Sequence, residues 1–212
     1  MPGALLLVPN TLDLGAEAGD LRAVLPEAVL GQAAALTHWV AEDARTTRAF
    51  LKRVHALHPL SQPLQAIAIQ ELPRPRKGAP GAGPDRAAFK ALLQPALDGH
   101  DLGLISEAGL PAVADPGALL VAAAHELGLT VRPLTGPSSL LLALAASGLN
   151  GQSFAFVGYV PQDAAARTAR LRELEALSRR LHQTQLLIET PYRNDALLQA
   201  LLATLAPGTR LS

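Results

Sequence analysis

Short apolar runs alternate along the chain with longer segments in which apolar residues recur at every third or fourth position. A short continuous apolar run is typical of a strand buried on both faces, whereas the longer spacing is typical of an amphipathic helix. The predicted strands are Ala4–Val8, His38–Ala41, Gln65–Ile69, Leu102–Ser106, Thr130–Leu134, Ser153–Val160 and Gln185–Glu189. Strands that alternate with helices predict an α/β fold whose mainly parallel sheets are covered by helices.

The helical spacing is clearest in three segments, each of which has one apolar face. The residues of these faces are Thr47, Phe50, Leu51 and Val54; Leu171, Leu174, Leu177 and Leu181; and Leu197, Leu198, Leu201, Leu202 and Leu205. The reverse of the second helix carries Arg170, Arg172, Arg179 and Arg180. The third helix is expected to end before Pro207 and Gly208, since neither residue continues a helix well.

Two stretches interrupt this pattern. Pro73–Pro84 is too rich in proline and glycine for regular structure and predicts a mobile surface loop. Ala108–Gly117 directly follows a predicted buried strand, which favours a binding loop. We place a domain boundary at its end, which gives an N-terminal α/β domain of residues 1–116 and a C-terminal α/β domain of residues 117–212. Thr209–Ser212 is similar to the start of another strand, so the second domain is expected to lack its last strands.

Composition narrows the class of protein further. With 212 residues, 49% of them hydrophobic and only 3% aromatic, the chain can bury a core made mainly of Leu, Ala and Val. Its 18 basic and 18 acidic residues leave no net charge, so RNA contacts are expected to be local and transient. The absence of cysteine excludes disulfides and thiolate chemistry in this chain. Because the apolar stretch 118–147 is interrupted and no signal peptide is recognisable, we expect a cytoplasmic protein without a membrane segment.

Polar and small residues follow the carboxyl ends of several predicted strands, where open α/β sheets bind ligands. They are Pro9 and Asn10; Glu42, Asp43 and Arg45; Glu107, Ala108 and Gly109; Ser138 and Ser139; and Glu189, Thr190, Tyr192 and Arg193. Purely structural interpretations remain open. Ser138 could cap a helix, Glu42 and Asp43 could be charges that favour a helix start, and Asp115–Gly117 could be a simple turn.

Several familiar site patterns do not occur in the sequence. His55 and His58 have a spacing that metal ligands use, but no third ligand candidate lies near them, and we predict no metal site. Glycine-rich dinucleotide and phosphate-binding motifs are missing, and no serine has the setting of a hydrolase nucleophile. The residues by themselves therefore indicate a two-part α/β protein with a small-molecule cleft.

A series of motifs in order resembles the ribosomal RNA small-subunit methyltransferase I branch of the tetrapyrrole methylases. The motifs are AEDAR at Ala41–Arg45, SEAGLP at Ser106–Pro111, DPG at Asp115–Gly117, TGPS at Thr135–Ser138, SGL at Ser147–Leu149, FVGYVP at Phe156–Pro161 and ETPYR at Glu189–Arg193. Glu107 and Leu110 replace the usual Asp and Thr of this branch, and the first strand runs into an unusual Pro9–Leu12. The chain is thus similar to a shorter, divergent subgroup.

The resemblance implies two α/β domains with S-adenosylmethionine in the cleft between them, in a homodimer. The cofactor-binding residues that it implies are Glu107, Ala108, Gly109, Leu110, Val113, Ala114, Ser138, Ser139, Glu189 and Thr190. If the methyl acceptor is a hydroxyl, a base must remove its proton, and the candidates are Glu42, Asp43 and Asp115. The candidates for holding the acceptor are Pro9, Asn10, Arg45, Tyr192 and Arg193. Ion pairs among these same residues are the structural alternative.

Three functions stay open on the sequence. The first is methylation of a ribose 2′-hydroxyl of ribosomal RNA, favoured by the motifs and by the basic residues of the Pro73–Pro84 loop and of the second amphipathic helix. The second is methylation of a tetrapyrrole or another small acceptor, which suits the neutral charge. The third is cofactor binding without catalysis, which the replacements at Glu107 and Leu110 permit.

Overall fold

A computed structural model describes residues 1–12, 19–73 and 86–212 of the chain. All of the predicted loop Pro73–Pro84 except Pro73 lies outside these residues. Contacts between Cα atoms divide the chain into a first unit, Met1–Ser138, and a second unit, Ser139–Ser212.

A five-stranded parallel sheet forms the centre of the first unit. Its strands are β1 (Ala4–Leu7), β2 (His38–Ala41), β3 (Ala68–Glu71), β4 (Leu102–Ile105) and β5 (Thr130–Pro133). They lie in the order β3-β2-β4-β1-β5, and every neighbouring pair is parallel. The predicted α/β fold with a mainly parallel sheet is therefore confirmed.

Helices connect these strands and cover the sheet. They are α1 (Glu27–Ala35), α2 (Ala44–His55), α3 (Arg86–Leu92), α4 (Gln94–Leu97) and α5 (Ala118–Glu126). The predicted apolar face of α2 is confirmed, because all four of its residues are buried. Short 3-10 helices at Leu21–Ala23 and Leu64–Ala66 complete the connections that the structure describes.

Alternate residues of each strand face opposite sides of the sheet, and each side has its own apolar core. Leu6 and Trp39 point into the core that α1 and α2 share. Leu5 and Val40 point into the core that α3 and α5 share. Because both faces are covered, the strands contain apolar residues at successive positions instead of an alternating pattern.

The strand order places a crevice between β1 and β4. The connection that follows β1 leads past β4 to β2, whereas the connection that follows β4 leads past β1 to β5. Connections that leave two neighbouring strands in opposite directions open a crevice at the carboxyl ends of those strands, where α/β proteins bind ligands. The residues after Leu7 and after Ile105 therefore occupy the expected ligand position of this sheet.

The third strand differs from its prediction at Gln65–Ile69. Leu64–Ala66 instead forms a 3-10 turn, in which the Ala66 N–H donates to the Pro63 carbonyl (2.8 Å). Strand pairing starts at Ala68, whose N–H donates to the Thr37 carbonyl (3.0 Å). The apolar run does not define this start, because β3 is an edge strand and most of its residues are exposed.

The contacts do not divide the chain at the predicted boundary between residues 116 and 117. The strand and helix that follow this position belong to the first unit, because β5 pairs with β1 and α5 packs against α3. The division falls after Ser138, immediately before the next helix.

The second unit contains α6 (Ser139–Ser147), β6 (Phe154–Gly158), α7 (Ala164–Leu181), β7 (Thr184–Leu187) and α8 (Asn194–Thr204). Strands β6 and β7 pair in parallel. The apolar face of α7 is buried at Leu171 and Leu174 but exposed at Leu181, and α8 contributes Leu197, Leu201 and Leu205 to the same core. Leu198 and Leu202, predicted on that face, are exposed, because α8 turns Leu197, Ala200 and Leu201 towards the core. Thr209–Ser212, predicted to begin a strand, has no regular secondary structure.

Candidate functional site

The loops after β1 and β4 are joined at the crevice by Asn10. The Asn10 N–H donates to the Gly109 carbonyl (2.9 Å), and its side-chain amide donates to the carbonyls of Glu107 (2.9 Å) and Ser106 (3.2 Å). Asn10 is buried, as are Pro9 and Gly109. The structure therefore brings together candidates that lie about a hundred residues apart, and it gives Asn10 the role of holding the second loop in place.

The loop between β4 and α5 has an unusual backbone. Gly109, Ala112, Ala114 and Gly117 all have positive φ, at 67°, 66°, 64° and 136°. Alanine adopts this conformation rarely, because its Cβ approaches the carbonyl oxygen. Backbone of this kind is found preferentially where a loop is shaped for a ligand. Of the other cofactor candidates in this loop, Val113 is exposed, while Ala108 and Leu110 are half-buried.

A cavity of about 580 Å³ opens beside this loop in the first unit. Apolar side chains supply part of its wall, among them Leu72 and Phe89, and the turn Asp115–Gly117 supplies another part. Among the described residues that line it, the charged ones are all acidic: Glu42, Asp43, Glu107 and Asp115. The predicted catalytic candidates thus share one cavity with Glu107, which the sequence assigned to the cofactor.

Crowding of these carboxylates changes their acidity. Burial, followed by the charges of Glu42 and Glu107, raises the pKa of Asp115 to about 6, while the nearby Ser106 hydroxyl partly offsets these effects. The Ser106 hydroxyl is buried and makes no hydrogen bond of ordinary geometry with the described residues. Burial also raises the pKa of Glu107, followed by the effects of Glu42 and Asp43. Asp115 is thus a carboxyl whose protonation changes just below neutral pH.

The turn between β2 and α2 positions the other two carboxylates. Asp43 is the N-cap of α2, and its side chain accepts from the Thr46 N–H (2.7 Å). Glu42 accepts from the Glu107 N–H (3.2 Å), which ties this turn to the loop after β4. Arg45 projects from the first turn of α2 and is exposed, so it lies beside the cavity and outside its lining. The helix-start interpretation is therefore correct for Asp43, which also lines the cavity.

The remaining candidates lie near the division of the chain or in the second unit. Ser138 and Ser139 are the last residue of the first unit and the first of the second, and α6 begins at Ser139. In the second unit, Glu189 accepts from the Thr190 N–H (2.8 Å) and pairs with Arg193 (2.8 Å).

The group around Glu189 is well ordered by its own contacts. The Arg193 Nε also donates to the Thr190 hydroxyl (3.1 Å), and the Glu189 side chain is only 7% exposed. Tyr192, in contrast, is largely exposed, with the Arg193 guanidinium 5.6 Å from its ring centroid. The structural alternative of an ion pair thus holds for Glu189 and Arg193.

Sequence patterns missed several residues that shape the site. Leu72, directly after β3, and Phe89 of α3 line the cavity, although neither belongs to a motif of the sequence. A Cβ on Gly136 would overlap the ring of Pro9, so the turn after β5 needs glycine to pass the loop after β1. Ser106 ends a predicted strand, and no sequence pattern gives it a role. The composition of the segment after β4, rich in Ala, Gly and Pro, indicates a loop there. No sequence pattern shows which apolar side chains surround the cavity beside this loop.

The described residues contain no group of three His, Asp or Glu side chains that could hold a metal ion. His55 accepts from the Leu60 N–H (3.3 Å), and His58 pairs with Glu27 (2.7 Å), so the two histidines have separate partners. No helix in the same part of the chain is long and apolar enough to cross a membrane.

The fold and this edge of the sheet define an α/β protein with a candidate ligand site at the crevice of a parallel sheet. A family model of the tetrapyrrole (corrin/porphyrin) methylases matches residues 24–211. Because this match covers most of the chain, the chain belongs to the tetrapyrrole (corrin/porphyrin) methylase family, as the sequence motifs predicted.

Curated relatives are similar over about half of the chain. A ribosomal RNA small subunit methyltransferase I from Vibrio cholerae is 38% identical over 55% of this chain and 39% of its own length. Proteins of the same name from Micromonospora olivasterospora and Xylella fastidiosa are 41% and 36% identical, over 57% and 63% of this chain. These matches cover 37% and 43% of the two relatives, so each relative extends well beyond the matched part.

Proposed function

We propose that the chain takes part in S-adenosylmethionine-dependent methylation of a ribose 2′-hydroxyl in small-subunit ribosomal RNA, a reaction of the cytoplasm. The RNA substrate is suggested by the relatives, which are named ribosomal RNA small subunit methyltransferase I. The structural observation that carries the proposal of a hydroxyl acceptor is the position of Asp115, a half-buried carboxyl with a pKa of about 6, in a cavity beside the crevice loop. A hydroxyl acceptor needs a proton acceptor, and a carboxyl with such a pKa is ionised at neutral pH while still being a stronger base than an ordinary aspartate.

The residues of the loop after β4 fit the cofactor in one respect that the structure shows. Gly109 has a φ of 67° and no side chain, and its neighbour Ala108 has a small one, so a ligand can approach the loop backbone closely. Gly109, Ala108 and Leu110 would hold the cofactor there. When bound, S-adenosylmethionine supplies an electrophilic methyl group on a sulfonium.

The chain's own residues would act mainly by position and by accepting a proton. Glu42, Glu107 and Asp43 can accept hydrogen bonds from the acceptor's hydroxyls, and this orients the attacking oxygen. Asp115 would accept the proton of that hydroxyl as the bond between oxygen and the methyl carbon forms and the bond between this carbon and the sulfonium sulfur breaks, so that the sulfur leaves as a neutral thioether. The same four carboxylates disfavour tetrapyrrole acceptors, which carry carboxylates of their own, since like charges repel.

The direct test uses tritiated S-adenosylmethionine and deproteinised small-subunit ribosomal RNA, followed by mapping of the methylated riboses. The Asp115→Asn variant should lose most of its turnover with little change in KM for RNA, and the wild-type rate should rise as pH increases through about 6. Asp98→Asn, at an exposed carboxylate of the same unit, should behave like wild type. Wild-type protein that labels no RNA, or an Asp115→Asn variant with full turnover, would contradict the proposal.

Cofactor binding can be tested separately with a matched pair of glycines. Gly109 and Gly128 have nearly equal φ values, 67° and 68°, but a Cβ on Gly128 meets nothing within 4 Å. Gly109→Trp should weaken S-adenosylmethionine binding by at least about tenfold, or 1.4 kcal/mol. Gly128→Trp should not. Isothermal titration calorimetry measures both, and equal affinities would show that the loop after β4 is not the binding loop.

We also propose that the chain forms a homodimer. Leu141, Leu142 and Leu202 of the second unit are each more than half exposed. A dimer interface that covered them would remove this apolar surface from water. Light scattering should then give twice the monomer mass of 22.1 kDa, and Leu202→Glu should reduce it towards the monomer value. A wild-type mass of one chain would refute the proposal.

A further inference from the structure

The outer face of α2 carries positive charges that have no ion-pair partner among the described residues. Arg45, Arg48 and Lys52 project from this face, and all three are exposed. Their spacing of three and four residues places them on one side of the helix. None of the ion pairs that the structure describes includes any of them. The Arg48 guanidinium instead donates to the carbonyl of Ala44 (3.3 Å).

These side chains line a groove rather than a flat surface. The groove has a volume of about 500 Å³, and its other wall includes Leu64 and Gln65 from the 3-10 helix that precedes β3. The charged side chains among the described lining residues are all basic. By the helical rise of 1.5 Å per residue, the stretch from Arg45 to Lys52 extends about 10 Å. The chain as a whole has no net charge, so this groove is a local concentration of positive charge.

The groove begins at the same turn that borders the acidic cavity. Glu42 and Asp43 line the cavity, and Arg45, two residues further on, lines the groove. A phosphate would be repelled by the cavity and attracted by the groove. A nucleic acid strand has both kinds of group, with phosphates along its backbone and uncharged hydroxyls on each ribose.

We infer that this groove holds the phosphate backbone of the RNA strand while a ribose of the same strand enters the acidic cavity. The inference rests on the proposed function and adds the part of the chain that binds the polyanion. An anionic membrane surface fits less well, because the positive charges lie in a concave groove beside a cavity. In addition, Leu64 is the only large apolar side chain among the described residues that line this groove.

The test compares two double variants that remove the same charge from different places. Arg48→Gln with Lys52→Gln removes two of the three positive charges of the groove. Arg172→Gln with Arg180→Gln removes two exposed cations of α7, the helix whose basic residues are the competing candidates for RNA contact. A fluorescein-labelled single-stranded RNA from the small-subunit ribosomal sequence is titrated by anisotropy at several salt concentrations. Thermal melting and S-adenosylmethionine binding serve as folding controls for both variants.

The groove variant should bind this RNA about tenfold more weakly at low salt, and its plot of log affinity against log salt should lose about 1.4 in slope, if each cation neutralises one phosphate. The α7 variant should match wild type. Equal slopes for the groove variant and wild type would overturn the inference. So would loss of binding in the α7 variant alone, or a groove variant that loses binding only to anionic phospholipid vesicles.

The two proposals fail in different ways. If wild type methylates RNA but the groove variant keeps its affinity and slope, only the groove is wrong. If wild type neither binds nor methylates RNA while it still binds S-adenosylmethionine, the RNA substrate is wrong, and the groove assignment falls with it.

Discussion

Replacing Asp115 with asparagine should make the first unit more stable at neutral pH, although the same change should remove activity. The ionised Asp115 carboxyl is partly buried beside Glu42 and Glu107, which is why its pKa is raised from 3.8 to about 6. A folded-state pKa above the unfolded value means that ionisation costs free energy in the folded state. Asparagine has nearly the same shape and no charge, so it removes this cost.

The size of the effect follows from the pKa. At about 1.4 kcal/mol per pKa unit, the full difference would be about 3 kcal/mol at a pH well above 6. Because Asp115 is partly exposed, solvent screening reduces this to about 1–2 kcal/mol. The gain should fall as pH decreases below about 6 and vanish below about 3.8, where the aspartate is protonated in both states.

Urea unfolding monitored by tryptophan fluorescence measures the stability of the first unit, which contains Asp115. Trp39 is the single tryptophan of the chain and is buried in the first unit. The midpoint of Asp115→Asn should exceed that of wild type at pH 8 and equal it near pH 3.5, with unchanged slope. Asp98→Asn, an exposed change in the same unit, should stay within about 0.5 kcal/mol of wild type at both. A less stable Asp115→Asn variant at pH 8 would refute the reasoning, because the carboxylate would then be stabilising the loop.

Two further changes test the packing that supports each unit. Gly103→Ala should destabilise the first unit by about 1–3 kcal/mol in the same fluorescence assay, since the new Cβ would lie 2.7 Å from the Trp39 ring; wild-type stability would show that the ring can move aside freely. Glu189→Ala should cost about 1–3 kcal/mol by removing the mostly buried partner of Arg193. Glu173→Ala, in an exposed pair, should cost less than about 0.5 kcal/mol, so circular-dichroism melts that rank the two variants equally would contradict the assignment.

The sequence predicted the strands of the sheet well because a short apolar run without polar alternation is typical of a strand buried on both faces. The start of β3 was predicted too early in the chain. Because β3 is an edge strand, Ala68 and Gln70 are exposed, and no continuous run of buried apolar residues marks where the strand begins. The division of the chain depends on pairing between β5 and β1, which are distant in sequence. Local patterns carry no information on such pairing.

The candidate site was predicted in part, for a similar reason. Residues at strand ends could be listed because the carboxyl edge of a parallel sheet is a general ligand position. The positive φ of Ala112 and Ala114 could not be predicted, because alanine gives no signal for that conformation. The raised pKa of Asp115 could not be predicted either, because it depends on the burial of this side chain and on how close Glu42 lies to it in the folded chain.

The acidic cavity is best explained by function because its carboxylates repel one another electrostatically. Charges that stabilise a fold are paired, as Glu126 is with Lys90, and the hydrogen bond from Lys90 lowers the pKa of the Glu126 carboxyl. Glu107 and Asp115 show the opposite change, so folding works against their ionisation. Charged groups that are unfavourable for folding are expected to persist where activity requires them. The stability and the turnover of Asp115→Asn should therefore change in opposite directions, whereas a structural carboxylate would lose both together.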